Sequence, residues 1–109
     1  MNPRLTFVLG LLVTACGSPE ALTPEHDAVV KHFQSEAEPT AKDAMWTDPT
    51  TFKVGVFSDG TNRSGYASYV CEVLYERGFK GRGVWVQVID MASILRKDTW
   101  KKLGEAHCH

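Results

Sequence analysis

No stretch of this chain is apolar for long enough to cross a bilayer. A spanning helix needs about 20 apolar residues, and the most apolar run, Leu5 to Leu12, stops well short of that. An excess of one charge is also missing. Twelve lysines and arginines stand against 13 aspartates and glutamates, a formal net charge of −1. That balance argues against broad nucleic-acid binding, which needs a dense cationic surface. Cysteine occurs three times and never as C-x-x-C, so no thiol-redox motif is present. No Ser-His or Cys-His arrangement points to an activated nucleophile. Internal repeats and low-complexity segments are absent as well, and no cofactor is implied.

What is there begins at the amino terminus. Met1-Asn2-Pro3-Arg4 carries one basic residue and no acid, and the short apolar run follows it. That is the layout of a secretory signal. Val13-Thr14-Ala15-Cys16 then resembles the lipobox of bacterial lipoproteins: an aliphatic residue, two small residues and a cysteine. The resemblance covers the first sixteen residues only. It implies removal of residues 1–15 as a signal peptide, a diacylglycerol on the Cys16 sulfur and, as is usual in diderm bacteria, a third acyl chain on the new amino terminus. Two or more acyl chains make a stable anchor where one does not, so one partner of the chain is the lipid bilayer, through acylated Cys16. Gly17 stands where an aspartate would resemble an inner-membrane retention signal, which favours the outer membrane with the domain facing the periplasm. The alternative is an ordinary signal peptide cut after Ala15, with Cys16 unmodified.

Beyond residues 16–22, the lipidated cysteine and its tether, residues 23–109 form one domain. Fully extended, Gly17 to Leu22 reaches only about 20 Å, which holds the domain close to its membrane. Acids dominate Gly17 to Thr50, and bases dominate Glu76 to Lys102. With Cys16 lipidated, Cys71 and Cys108 remain as an even pair in an oxidising compartment, and a disulfide between them is expected. A core this small benefits from such a staple.

The fold class expected is α+β, ordered helix, strand, helix, strand, strand, with the helices packed on one face of a short sheet. Thr23-Pro24-Glu25 starts a helix: a capping hydroxyl, a first-turn proline, and acids (Glu25, Asp27) at the positive end of the dipole. Ala28, Val29, Val30 and Phe33 form its apolar stripe, and Glu38-Pro39 ends it. Ala41 to Pro49 reads as irregular, with Trp46 a lid on the core edge. Phe52, Val54 and Val56 alternate with Lys53 and Gly55, a half-buried strand. A second helix spans about Arg63 to Arg77, with Tyr66, Val70, Val73 and Leu74 on one face and Gly78 as its stop. Val84 to Ile89 is the strongest strand. The end of the chain has two readings. Ala92 to Leu103 is a helix stopped by Gly104, or the strand turns at Arg96-Lys97-Asp98 and returns as Thr99 to Cys108. The hairpin is favoured. It pairs Val88 with Ala106 and Val86 with Cys108, putting Cys108 on the core face. The first two strands, joined by a crossover helix, are parallel if adjacent.

Ser58-Asp59-Gly60-Thr61-Asn62-Arg63-Ser64-Gly65-Tyr66 follows a strand and opens a helix, where backbone N–H groups can hold an anion. Gly60 and Gly65 have the P-loop spacing, but Tyr66 and Ala67 follow where the loop needs Lys and Ser or Thr. A tight turn capped by Asp59 or Asn62 is the plainer expectation, with Gly60, Thr61, Asn62 and Arg63 as a possible anion site. His107-Cys108-His109 alternates faces and reads as a solvated end, and His26 and His32 lie six residues apart, so no metal site is assigned. Asp59 and Asp90 are the carboxylates best placed for chemistry, but a domain this small has little room for a deep pocket. Trp85 and Gln87 lie opposite Val84 and Val86 and mark a possible partner surface. The function expected is therefore noncatalytic: an envelope lipoprotein that binds another envelope protein or stabilises an assembly. The alternative is a ligand-binding lipoprotein taking a small anion or cell-wall fragment at residues 58–65.

Overall fold

The computed structural model describes residues 21–109. The expected signal peptide, Cys16 and most of the expected tether lie outside the described residues. Among the described residues no helix is long and apolar enough to cross a membrane.

The chain runs α1 (Pro24–Phe33), β1 (Asp43–Asp48), β2 (Thr51–Val56), α2 (Ser64–Leu74), a wide π-type turn (Tyr75–Phe79), β3 (Trp85–Asp90), α3 (Met91–Lys97) and β4 (Lys102–His107). The strands form one sheet in the order β1-β2-β3-β4. β1 and β2 are antiparallel, β2 and β3 parallel, β3 and β4 antiparallel. The α+β class, the parallel pair joined by a crossover helix and the final antiparallel pair all match the sequence reading.

The core forms where alternation and helical periodicity meet. Phe52, Val54 and Val56 of β2 and Val84, Val86 and Val88 around β3 point to one face and are completely buried. Val29 and Phe33 of α1 and Ala67, Val70 and Leu74 of α2 fill the same layer, also without exposure. α1 is fixed by a capping box. His26 takes the place usually held by Glu or Gln: its Nδ1 accepts from the Thr23 N–H at 3.0 Å while the Thr23 hydroxyl accepts from the His26 N–H. The ring proton therefore sits on Nε2 and is donated to the Pro49 carbonyl, 3.0 Å away. The buried imidazole packs edge-on to Trp46 and Phe79 at 4.5 and 4.9 Å, and the Trp46 Nε1–H donates to the His26 carbonyl.

Four expectations need correction. The first helix stops at Phe33, with Gln34 as its C-cap, and not at Glu38-Pro39. Ala41 to Pro49 is not irregular: Asp43–Asp48 is an edge strand whose Ala44 and Trp46 point inward, so Trp46 is core at 7 % exposure, not a lid. The chain end is neither hairpin nor long helix alone. Asp90 accepts from the Ala92 N–H and the Ser93 hydroxyl and starts α3, and Asp98, at φ 55°, ends it; β4 then returns. The seven-residue helix stands where a tight turn was expected. It shifts the register by two residues, so that Val88 faces Gly104 and Val86 faces Ala106. An even shift leaves every side chain on its expected face. Cys108, whose N–H donates to the Val84 carbonyl at 2.7 Å, still reaches the core, and Cys71 and Cys108 form the expected disulfide with Cα atoms 5.4 Å apart. Last, His107 and His109 are exposed as expected, but the end is tied down rather than frayed. The His109 N–H donates to the Tyr75 hydroxyl and its carbonyl accepts from the Gly81 N–H.

Candidate functional site

The turn from Ser58 to Ser64 is built from short side chains that bond their own backbone. The Ser58 hydroxyl accepts from the Gly60 N–H, Asp59 from the Thr61 N–H and hydroxyl, and Asn62 from the Ser64 N–H. Gly60 supplies φ +89°, a conformation that favours glycine. Gly65 has neither a positive φ nor a close neighbour, so of the two only Gly60 needs to be glycine for its backbone. The Thr61 hydroxyl holds the Asp59 carboxyl below the usual carboxylate range, with help from the Thr61 N–H and the Arg63 charge. Arg63 folds back along the turn. Its guanidinium donates to the Phe57 carbonyl at 3.1 Å and lies 3.7 Å from Asp59, and its side chain is only 17 % exposed. Gly60, Thr61, Asn62 and Arg63 do sit together, but the Thr61 hydroxyl and N–H and the Asn62 Oδ1 are occupied within the turn. The Arg63 Nε–H and the Tyr66 hydroxyl are the exceptions, buried without a hydrogen-bond partner among the described residues. Burial, then the nearby Glu38 carboxylate, pushes the Tyr66 phenol well above its ordinary range.

The outer face of the sheet, opposite the core, carries the other candidate. Trp85 is half-buried and its position is fixed. Its Nε1–H donates to Glu105 at 2.9 Å, and its ring stacks on His107 at 5.3 Å with only 8° between planes. Lys102 binds Glu105 at 2.8 Å and stands 5.5 Å from the Trp85 ring. Lys102, then Trp85, draws the Glu105 carboxyl below its ordinary range. Gln87 is buried at 8 % exposure and accepts a hydrogen bond from Lys53, so it supports this face more than it presents it.

Toward the other end of β3 the outer face becomes apolar. The Met91 side chain lies directly over Gly55, where a Cβ would meet its sulfur. A small cleft runs between Met45, Gly55, Ile89, Met91, Ile94 and Trp100. None of the seven residues of α3 is buried. Leu95, Trp100 and Met45 are 69, 48 and 42 % exposed.

A polar cluster that the sequence did not suggest lies behind α1. Glu38, only 5 % exposed, accepts from the Tyr69 hydroxyl and from His32 Nε2, each at 2.8 Å; His32 Nδ1 in turn accepts from Arg77 at 3.0 Å. The bond to Glu38 raises the Tyr69 pKa. Every oxygen of this carboxylate is used within the fold, so the cluster ties α1, the loop after it and α2 together. The sequence marks Glu38 only as the residue before Pro39, and no local spacing links it to Tyr69 or Arg77. Asp90 is likewise committed, with its carboxyl pulled down chiefly by the Ser93 hydroxyl. Among the described residues no three His, Cys, Asp or Glu side chains gather as a metal site.

Compared with known proteins, the chain matches no family model, no curated protein and no solved structure.

Proposed function

We propose that this chain is a lipid-anchored module of the bacterial outer membrane that works by binding another envelope protein, not by catalysis. Cys16 carries the anchor. The observation that supports the binding role is Trp85: an aromatic side chain held by Glu105 and His107 yet not fully buried, with charged groups around it. Interface hot spots share that anatomy, a preorganised aromatic anchor within a polar rim. Detergent extraction of membranes from cells fed a palmitate analogue tests both halves. Wild-type protein takes up label and retains a stoichiometric protein partner. Cys16→Ser yields an unlabelled, unprocessed precursor. Trp85→Ala keeps the label and loses the partner, because truncating a hot-spot aromatic weakens binding by about 2 kcal/mol or more. Unlabelled wild-type protein refutes the anchor, and a partner retained by Trp85→Ala refutes the surface.

A second reading, a small-anion or cell-wall-fragment site at Gly60, Thr61, Asn62 and Arg63, is favoured by one observation: the unpartnered Arg63 Nε–H and Tyr66 hydroxyl. Thermal melts of the full chain with and without phosphate separate the two. The expected result is no phosphate response. Arg63→Ala alone costs about 1 kcal/mol or somewhat more, because a largely buried donor to the Phe57 carbonyl is lost. A phosphate-induced rise in Tm that disappears in Arg63→Ala promotes the ligand-binding class instead.

A further inference from the structure

We propose that α3 and the turn after it form a docking surface for an anionic phospholipid bilayer, seating the domain on the membrane that holds its anchor. The proposal rests on the Cys16 anchor for the membrane's proximity and on the surface itself for its chemistry. A short helix on a folded domain normally turns its apolar side inward. Here Met91 packs over Gly55 and Ile94 lines the cleft, but no member of the seven-residue helix is fully buried and Leu95 is left 69 % exposed. A helix of that length does not persist through propensity alone. It is held at both ends, by the Asp90 cap and by the left-handed Asp98, and so it presents Leu95 and, just beyond, Trp100 in a fixed position. Met45 on β1 extends the same apolar strip across the cleft.

The charges around this strip favour lipid over protein. Arg96, Lys97 and Lys101 are all exposed and make no ion pair among the described residues. Asp98 lies between them in sequence, Asp90 is near enough to feel the Arg96 and Lys101 charges, and Asp43 lines the cleft. The core of a protein interface is depleted of lysine, whereas leucine and tryptophan flanked by lysine and arginine is the composition that partitions into the headgroup layer of anionic membranes. The position of the chain's entry agrees. Leu22, 53 % exposed, and Met45 line one recess beside the start of α1, and Met45 and Trp100 line the cleft under α3. The apolar strip therefore runs from the point where the tether meets the domain, and from Cys16 to Leu22 the chain spans only about 20 Å when extended. Docked this way, the domain is fixed in orientation, and Trp85, at the other end of β3, remains for a protein partner.

Full-length protein from membranes, reconstituted with vesicles whose phosphatidylglycerol carries brominated acyl chains, supplies two separate readouts. Sedimentation with the vesicles reports attachment, and bromine quenching of tryptophan reports docking. Trp46 is buried, so quenching that vanishes in Trp100→Phe belongs to Trp100. The expected result is sedimentation with quenching, quenching lost in Arg96→Gln/Lys97→Gln/Lys101→Gln and in brominated phosphatidylcholine, and sedimentation kept in both cases. Sedimentation without quenching leaves the anchor standing and overturns docking. Quenching that survives the triple substitution or neutral lipid overturns the anionic surface. Protein that mass analysis finds unacylated, yet which sediments with phosphatidylglycerol vesicles and is quenched there, supports docking and overturns the anchor. Protein that neither sediments nor is quenched overturns both.

Discussion

Replacing Cys71 and Cys108 together by alanine will remove about 4 kcal/mol of stability, the loop-closure entropy expected for a bridge across 37 residues of sequence. For a small domain, typically stable by about 5–15 kcal/mol, that is a large share of the total. The bridge joins the middle of α2 to the residue just after β4, two elements far apart in sequence, and both cysteines are buried at 5 % exposure. Without it, the end of the chain is held by the Cys108 N–H to Val84 bond and by His109 on Tyr75 and Gly81. Those contacts form only after the sheet has closed, so they cannot restrict the unfolded chain as the bridge does. Urea unfolding of wild type and double variant, compared under oxidising conditions, measures the difference as a fall in midpoint. A loss below about 1 kcal/mol would mean that the bridge merely decorates a terminus already fixed by its backbone bonds. Non-reducing mass spectrometry checks the premise: both thiols should resist alkylation in the wild type.

The elements that could be read from the sequence are those whose pattern is complete within a few residues. β2 shows its alternation openly, with Phe52, Val54 and Val56 against Lys53, and α2 shows a helical stripe in Val70, Val73 and Leu74. β1 alternates too, Ala44 and Trp46 inward, but Met45 between them is apolar and the flanking residues are aspartates, so the period is masked. Its strand character comes from pairing with β2, where Trp46 faces Phe52, a tertiary effect that local propensity does not contain. At the chain end, both a helical and a strand pattern were visible because both elements are present. The register missed by two residues because the connection is a helix. Parity survived, and with it the disulfide.

The candidate surfaces divide in the same way. Trp85 was legible because it stands opposite two core valines on a clear strand. Its fixing by Glu105 and His107 was not, since that depends on which β4 residues face it. The Glu38–His32–Tyr69–Arg77 cluster joins positions up to 45 residues apart, with no spacing to betray it. In the sequence Arg63 is a loop cation and a candidate anion ligand. It is largely buried because its own backbone N–H bonds Leu103 at 2.9 Å, drawing the start of α2 onto β4.

That contact makes Gly104 the most sensitive glycine among the described residues. Gly104→Ala should cost about 3 kcal/mol or more, at the upper end of what overpacking a crowded site produces. A Cβ built there would lie 2.3 Å from the Arg63 carbonyl carbon and the Ser64 nitrogen and 2.8 Å from the Arg63 oxygen. All three are backbone atoms, which cannot swing aside as a side chain can. Relief requires α2 to move off β4, breaking the Arg63 N–H bond to Leu103 and the 3.3 Å bond from the Glu105 N–H to the Ser64 hydroxyl. Those two bonds also occupy the outer edge of β4, so a displaced helix would leave an open strand edge prone to pairing with another chain. Gly65→Ala supplies the control. No neighbour lies within 4 Å of the added methyl and the backbone is already helical, so it should be neutral or stabilising by about 0.5 kcal/mol. Urea midpoints for the two variants should therefore move apart, Gly104→Ala far below wild type and Gly65→Ala at or above it. If Gly104→Ala unfolded within about 0.5 kcal/mol of wild type, the close seating of α2 on β4 would be wrong, and with it the burial of Arg63.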